Sequence, residues 1–186
     1  MRLFVGLELP AGVREALAAW GDAVAAPVMR RTPAANLHVT LAFLGTRPDA
    51  DVAAVAGVLE EVARPVGLLE VGGPLWLPRR RPGVLTVALR AGPELAALHA
   101  DLLAGLTAAI GFEPEQRPLR PHVTVARARR GEHLYATELP PPPARAFAPE
   151  ALVLYRSHTG AGGARYEALA RVSSGRPAPP PTGGRS

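Results

Sequence analysis

The chain has 186 residues, of which 48% are hydrophobic and 20% charged, a composition typical of a soluble globular protein of one domain or two small lobes. It contains no Cys, which excludes disulfides, a thiolate nucleophile and cysteine-ligated zinc, and favours a reducing, cytoplasmic location. The formal net charge is +5 and every basic residue is Arg, whose guanidinium suits phosphate, so the charge is compatible with an RNA or nucleotide ligand.

The first half of the sequence alternates predicted strands and helices. Its opening apolar run is too short for a signal peptide, and no segment has the length of a membrane span. After a turn at Pro33, a run rich in Val, Leu and Thr predicts a strand that ends at Gly45. The other elements expected here are a strand over 2–9, a helix over 10–26 and a helix over 48–64.

The second half repeats this kind of alternation. A basic loop joins two predicted strands into a hairpin, and Gly111 ends the helix that follows it. From Ser173 onward the sequence is rich in Pro and Gly, so we predict one domain over 1–172 and a disordered tail over 173–186. The predicted elements are strands over 66–77 and 83–90, a helix over 93–110, a strand over 119–128, and strands near 147–156 and 165–172.

One tripeptide, His-Val-Thr, occurs twice, at residues 38–40 and 122–124. Each copy lies in a predicted strand, where the side-chain period of two puts His and Thr on one face and their apolar neighbours on the other. A single His and Thr on a half-buried strand are typical of a satisfied hydrogen-bonding pair. The repetition instead favours one functional site formed by His38, Thr40, His122 and Thr124.

The order of elements around the two copies indicates a duplication. We expect an α+β fold with two lobes, in which duplicated antiparallel sheets carry helices on their outer faces. A pseudo-two-fold axis between the lobes would bring both His-Val-Thr strands to a central cleft, where each contributes one His and one Thr.

Two imidazoles in one cleft suit the hydrolysis of a cyclic phosphate, because one group must take a proton from water while another gives one to the departing oxygen. The unperturbed pKa of His is about 6.5, so one ring can be neutral and the other protonated at the same pH. The Thr hydroxyls can donate to the non-bridging phosphate oxygens as negative charge develops. This chemistry requires no metal and no cofactor.

The paired motifs resemble those of the 2H phosphoesterase superfamily, and within it the RNA 2′,3′-cyclic phosphodiesterase family, also called 2′-5′ RNA ligase. The resemblance implies hydrolysis of RNA 2′,3′-cyclic phosphate ends to 2′-phosphates. It implies that His38 protonates the departing 3′-oxygen, that His122 activates water, and that Thr40 and Thr124 hold phosphate oxygens. Further stretches that carry the resemblance are Arg2-Leu3-Phe4-Val5, Asn36 to Gly45, Pro121 to Arg127, Leu154-Tyr155-Arg156-Ser157, and Tyr166.

The resemblance also implies a substrate-binding role for Arg127. Strict alternation puts Arg127 on the face opposite His122, so this role requires a β-bulge or the end of the strand; otherwise Arg127 is a plain surface residue. The implied partners are RNA 3′ ends with a cyclic phosphate or small cyclic nucleotides, with no membrane, and we expect a monomer. Reversible 2′-5′ RNA ligation stays open as the same chemistry run in reverse.

An alternative function is non-catalytic binding of RNA or a nucleotide in the same cleft, which predicts binding without turnover. A His-based metal site is disfavoured, because neither motif contains Cys, His-Glu-x-x-His or an acidic residue. The run Arg79–Arg81 is predicted to be a solvated hairpin tip or else a contact to a nucleic-acid backbone, and Tyr166 has no assigned role. The residues predicted to be exposed or structural are His99, His133 and His158, and those predicted to lie in the core are Phe43 and Trp76.

Overall fold

The computed structural model describes residues 1–78, 81–129, 131–132, 136–160 and 163–175. Within these residues the three α-helices fall where helical spacing predicts them, each within three residues of the expected bounds. None of these described helices is long and apolar enough to cross a membrane. The helices are α1 (Ala11–Val24), α2 (Asp51–Val62) and α3 (Pro93–Ile110).

The sequence of helix α3 explains where this helix begins and ends. Pro93 stands in its first turn, where the missing N–H has no partner to lose. Gly111 follows its last residue with a φ of 59°, the left-handed conformation that glycine adopts without a steric cost. The N–H of Gly111 donates to the Thr107 carbonyl at 3.0 Å, so the helix ends where the sequence predicts.

Nine strands among the described residues form one sheet, and their pairings are antiparallel. The strands are β1 (Arg2–Glu8), β2 (Met29–Arg31), β3 (His38–Thr46), β4 (Leu69–Leu77), β5 (Val84–Arg90), β6 (His122–Ala128), β7 (Ala146–Phe147), β8 (Ala151–Gly160) and β9 (Gly163–Ser173). Their order is β7-β4-β5-β6-β3-β1-β8-β9, and β2 pairs with β6 outside this path. Strand β2 was not predicted, because its three residues are too few to show alternation.

The α+β class with antiparallel strands is confirmed, whereas the expectation of two separate sheets is wrong. The halves β7-β4-β5-β6 and β3-β1-β8-β9 join directly, because β3 pairs with β6 at Val39 and Val123. In the described part of the chain these two residues are the only pair in register at the junction, so β3 and β6 diverge on either side of it. Pairing at this junction removes two strand edges that separate sheets would leave open.

One face of β3 and β6 forms the buried core beneath α1. Val39, Val123 and Val125 on this face are at most 1% exposed. Helix α1 packs closely there, since a Cβ added at Gly21 would lie 3.1 Å from Cβ of Val125. Because side chains alternate along a strand, the opposite face carries the His and Thr of each motif.

The first two residues of the predicted C-terminal tail, Ser173 and Ser174, belong to the folded domain. Strand β9 continues to Ser173, and Ser174 is 1% exposed, with its hydroxyl donating to the Pro149 carbonyl at 2.6 Å. The ordered chain therefore extends past the predicted boundary at residue 172. Residues 176–186 of the predicted tail, Arg79 and Arg80 of the basic loop, and His133 lie outside the described residues.

Candidate active site

The two His-Val-Thr copies lie side by side at the centre of the sheet. When the register of the paired valines is extended by one residue each way, Thr40 lies across from His122 and His38 lies across from Thr124. All four side chains are half-buried and share the face opposite the core. The structure therefore brings together the four residues singled out in the sequence, with the two histidines diagonally across the pair of valines.

Both imidazoles are held in the same tautomer. Nδ1 of His38 donates to the Asn36 carbonyl at 2.7 Å, and Nδ1 of His122 donates to the Arg120 carbonyl at 2.8 Å. A carbonyl only accepts, so Nδ1 carries the proton in each neutral ring, and Nε2 is left as the atom that can take up or release one. The two copies thus repeat a side-chain geometry as well as a tripeptide.

Aromatic side chains enclose His38. The centre of its ring lies 4.8 Å from that of Phe4, 5.8 Å from that of Tyr155 and 5.2 Å from that of Tyr166, whose ring stands at 87° to it. Tyr166, which had no assigned role, is therefore part of the wall around this imidazole. On its remaining side, Nε2 of His38 lies 3.0 Å from Oγ1 of Thr40.

This enclosure changes the protonation of His38. Burial lowers the pKa of His38 to about 4, because the imidazolium is removed from water. The hydrogen bond to Asn36 opposes this change, while the positive charge of Arg127 and a proton on His122 each add to it. In the substrate-free protein His38 is consequently neutral at pH 7, and its Nε2 accepts a hydrogen bond from the Thr40 hydroxyl.

Gly6 of β1 makes room for the His38 ring. A Cβ added at Gly6 would lie 2.8 Å from the Val39 carbonyl oxygen and 3.2 Å from Cδ2 of His38. The first distance is shorter than real side chains tolerate, and the atom it meets belongs to the backbone. A larger residue would therefore have to displace β3 or the imidazole, which explains a glycine at this point of close approach.

A β-bulge in β6 brings Arg127 to the same face as His122. The β5–β6 register skips Val125, so the alternation of side chains shifts by one residue after it. Val125 and Ala126 are consequently both buried, and Arg127 is exposed on the site face. The β-bulge that a substrate-binding role for Arg127 requires is thus present. The positive charge of Arg127 also lowers the pKa of His38.

The prediction that Phe43 lies in the core is wrong, because β3 has the same irregularity. The β1–β3 register skips Leu41, so that Leu41 and Ala42 are both buried while Phe43 is 64% exposed, on the face of His38 and Thr40. The sequence contains a signal for both bulges. In each copy of the tripeptide, the Thr is followed by two consecutive apolar residues, which breaks strict alternation at the same position.

A cavity of about 560 Å³ opens where β3 and β6 diverge. Thr40 and His122 line its end nearest the motifs, and Phe43 and Phe112 line its apolar part. This volume lies in the range of sites that hold small organic molecules. The site therefore combines a polar centre at the two histidines with an adjoining apolar pocket.

Three other singled-out residues have structural contacts. His99 of α3 donates from Nε2 to the Leu41 carbonyl at 3.0 Å, and Nε2 of His158 lies 2.7 Å from a carboxylate oxygen of Glu167. Trp76 is half-buried at the edge of the core rather than inside it, with its indole N–H bonded to the Thr137 carbonyl. The described residues also bear on the His-based metal site that the sequence disfavoured. Within the described ranges, no three His, Asp or Glu side chains lie close enough together to hold a metal ion.

The fold and the paired motifs place the chain in a known family. Residues 13–161 match the family described as the 2′-5′ RNA ligase superfamily, and the chain belongs to it. Over 175 residues the chain is 31% identical to the RNA 2′,3′-cyclic phosphodiesterase of Escherichia coli (strain K12), an alignment that covers 91% of this chain and 94% of the relative.

Solved structures share the whole architecture. A crystal structure of a Thermus thermophilus protein superposes with a TM-score of 0.79 at 28% identity and covers 93% of this chain and 97% of that one. E. coli LigT complexed with 3′-AMP superposes with a TM-score of 0.76 at 29% identity, covering 92% and 97%.

Proposed function

We propose that the protein hydrolyses RNA 2′,3′-cyclic phosphate ends to 2′-phosphates by a two-histidine acid–base mechanism that uses no metal. The observation that supports this best is the matched pair of imidazoles, each with Nδ1 bonded to a carbonyl and Nε2 left for proton transfer. In-line attack of water on phosphorus needs a base on one side and an acid on the other. The activity named for the E. coli relative agrees with the proposal.

His122 is the base in this proposal. The Arg120 carbonyl holds its Nδ1–H, so the neutral ring presents an unprotonated Nε2 to water. This nitrogen takes a proton from the attacking water as the new phosphorus–oxygen bond forms. His122 then carries the positive charge.

His38 is the acid, and it acquires its proton with the substrate. The anionic phosphate, placed beside the enclosed ring, opposes the burial that keeps the free imidazole neutral and raises its pKa. Nε2 of His38 then donates its proton to the 3′-oxygen as the bond between phosphorus and that oxygen breaks. The products are a 2′-phosphate and a 3′-hydroxyl.

Three side chains stabilise the phosphate in this proposal. The hydroxyls of Thr40 and Thr124 donate to the non-bridging oxygens, on which charge accumulates in the transition state. Arg127, brought to the site face by the bulge, adds a charge-assisted donor. Reversible 2′-5′ ligation belongs to the same site, with the 5′-hydroxyl of a second RNA in the place of water.

The apolar cavity is the proposed place for the base of the terminal nucleotide. Phe43 stands at its mouth on the same face as the motifs, and exposed aromatic rings stack on bases of any identity. The centre of the Phe43 ring lies 6.1 Å from that of Phe4, which belongs to the aromatic wall around His38. This position leaves the ribose and its cyclic phosphate at the two histidines.

The test replaces each histidine separately and measures hydrolysis of an oligoribonucleotide with a 2′,3′-cyclic phosphate end. His38→Ala and His122→Ala should each lower kcat by about 100-fold or more, because a positioned acid or base contributes that much. His158→Ala is the matched control and should retain activity, since alternation along β8 puts His158 and its contact to Glu167 on the face opposite Tyr155 and Tyr166. Near-wild-type turnover by either motif variant would falsify the two-histidine mechanism.

Two further measurements separate the alternatives. Activity should survive a chelator such as EDTA, and its loss would show that a metal takes part. Binding of the cyclic phosphate end by the wild type without any turnover would favour the non-catalytic RNA or nucleotide binder.

A further inference from the structure

Arg30 and Arg127 stand directly opposite each other on neighbouring strands. In the β2–β6 pairing, Arg30 is in register with Arg127, and both are exposed. Directly opposite residues of an antiparallel pair project from the same face. Because the bulge in β6 puts Arg127 on the face of His122, Arg30 lies on that face as well.

This pairing is unfavourable for the free protein. Like charges directly opposite each other destabilise a sheet. Among the described residues, which include every Asp and Glu of the sequence, no ion pair involves Arg30 or Arg127. The adjacent Arg31, on the other face of β2, does have a carboxylate partner, Asp22 at 3.2 Å. An anion bound between Arg30 and Arg127 would remove the repulsion.

The β8–β9 hairpin positions Arg30 beside the site. A Cβ added at Gly163 of this hairpin would lie 3.3 Å from Nε and 3.4 Å from Cζ of Arg30, so the guanidinium lies against the backbone there. The next residue is tied to the first motif, because the Asn36 side chain donates to the Ala164 carbonyl at 2.7 Å. The backbone carbonyl of Asn36 also accepts the Nδ1–H of His38, so the contacts of Gly163, Ala164 and Asn36 connect Arg30 to the first histidine.

Arg30 lies on the opposite side of the histidines from the cavity. The cavity opens beyond Thr40 and His122, where β3 and β6 diverge, whereas β2 pairs with the other end of β6. In a nucleotide with a 2′,3′-cyclic phosphate, the base leaves the ribose at C1′ and the 5′-oxygen leaves from the C4′ side. With the base in the cavity, the 5′-phosphate therefore extends toward Arg30.

We propose that Arg30 binds the 5′-phosphate of the terminal nucleotide and thereby favours RNA ends over nucleoside cyclic phosphates. This specificity role rests on the proposed function, since it needs the cyclic phosphate at the two histidines. The planar guanidinium donates two parallel hydrogen bonds to a phosphate, and Arg127 supplies a second charge nearby.

The binding test compares adenosine 2′,5′-bisphosphate with adenosine 2′-monophosphate by calorimetry. The wild type should bind the bisphosphate about tenfold more tightly, as one charge-assisted contact predicts. Arg30→Gln should bring this ratio close to one, while the matched control Arg31→Gln, which removes the same charge from the other face, should keep it. An unchanged ratio in Arg30→Gln, or an equal loss of affinity for both ligands, overturns the proposal.

A kinetic test uses the two kinds of substrate. Arg30→Gln should lower kcat/KM by about tenfold for an oligoribonucleotide with a 2′,3′-cyclic end and leave adenosine 2′,3′-cyclic phosphate, which has no 5′-phosphate, unchanged. An equal decrease for both substrates would assign Arg30 a structural role instead. If the wild type hydrolyses neither substrate, the proposed function fails, while the ligand-affinity ratio still decides the role of Arg30.

Discussion

His38 and His122 have the same tautomer and the same kind of backbone acceptor, yet they differ in their surroundings. The aromatic wall around His38 is formed by side chains from β1, β8 and β9, which belong to only one half of the sheet. The duplicated tripeptide therefore supplies two imidazoles in the same tautomer, and the aromatic wall surrounds one of them, His38. A ring that is neutral when free and charged when an anion is bound has the behaviour that a substrate-activated acid needs.

At the residue level, we predict that an anion restores the basicity of His38. The pKa of His38, about 4 in the free protein, should move toward 6.5 when sulfate occupies the site, because the negative charge favours the imidazolium. An NMR titration of the His38 ring with sulfate, compared with chloride at equal ionic strength, measures this. Identical titration curves in both salts would mean that the bound anion does not contact His38.

Among the elements, the paired bulges decide which residues face the site. The extra residue of the β3 bulge, Leu41, is 5% exposed, and its carbonyl accepts the hydrogen bond from His99. His99→Leu should therefore lower the free energy of unfolding by about 0.5–1.5 kcal/mol, since a partly buried carbonyl loses its donor. His99→Gln, which keeps a donor, should recover most of this stability in urea denaturation. Wild-type stability of His99→Leu would show that the bulge does not depend on this contact.

The same bulges explain what could be predicted from the sequence. Alternation within each tripeptide sufficed to place His38 and Thr40 on one face, because no bulge interrupts those three residues. Beyond the Thr, the position of Phe43 depends on a register with β1 that involves distant residues, and strict alternation misplaced it. The single sheet was missed for a similar reason, since Val39 and Val123 pair across 84 positions of sequence. Local pattern carries no information about which strands become neighbours at that separation.

For the whole molecule, the lowered pKa of His38 makes stability depend on pH. The unfolded chain holds this proton near pH 6.5 and the folded protein only near pH 4, so between these values the unfolded state binds more protons. The free energy of unfolding should therefore fall as the pH is lowered from about 6.5 to 4, by up to about 3 kcal/mol from His38 alone. Above pH 6.5, His38 no longer makes the free energy of unfolding depend on pH.

Urea denaturation at pH 7 and pH 4.5 tests this contribution. Carboxylates add their own pH dependence, so the comparison is made with His38→Gln, which removes only the histidine. The variant should lose less stability on acidification than the wild type. Equal losses in both proteins would contradict the burial of this imidazole.

The bare backbone at residue 6 limits how this protein can be redesigned. Since even a methyl group there would strike the Val39 carbonyl oxygen, any side chain introduced at this position requires β3 to move away from β1. Such a movement would carry the ring of His38 with it, because His38 precedes that carbonyl by one residue in the same strand. An engineered variant that is meant to keep the position of this imidazole must therefore keep the glycine.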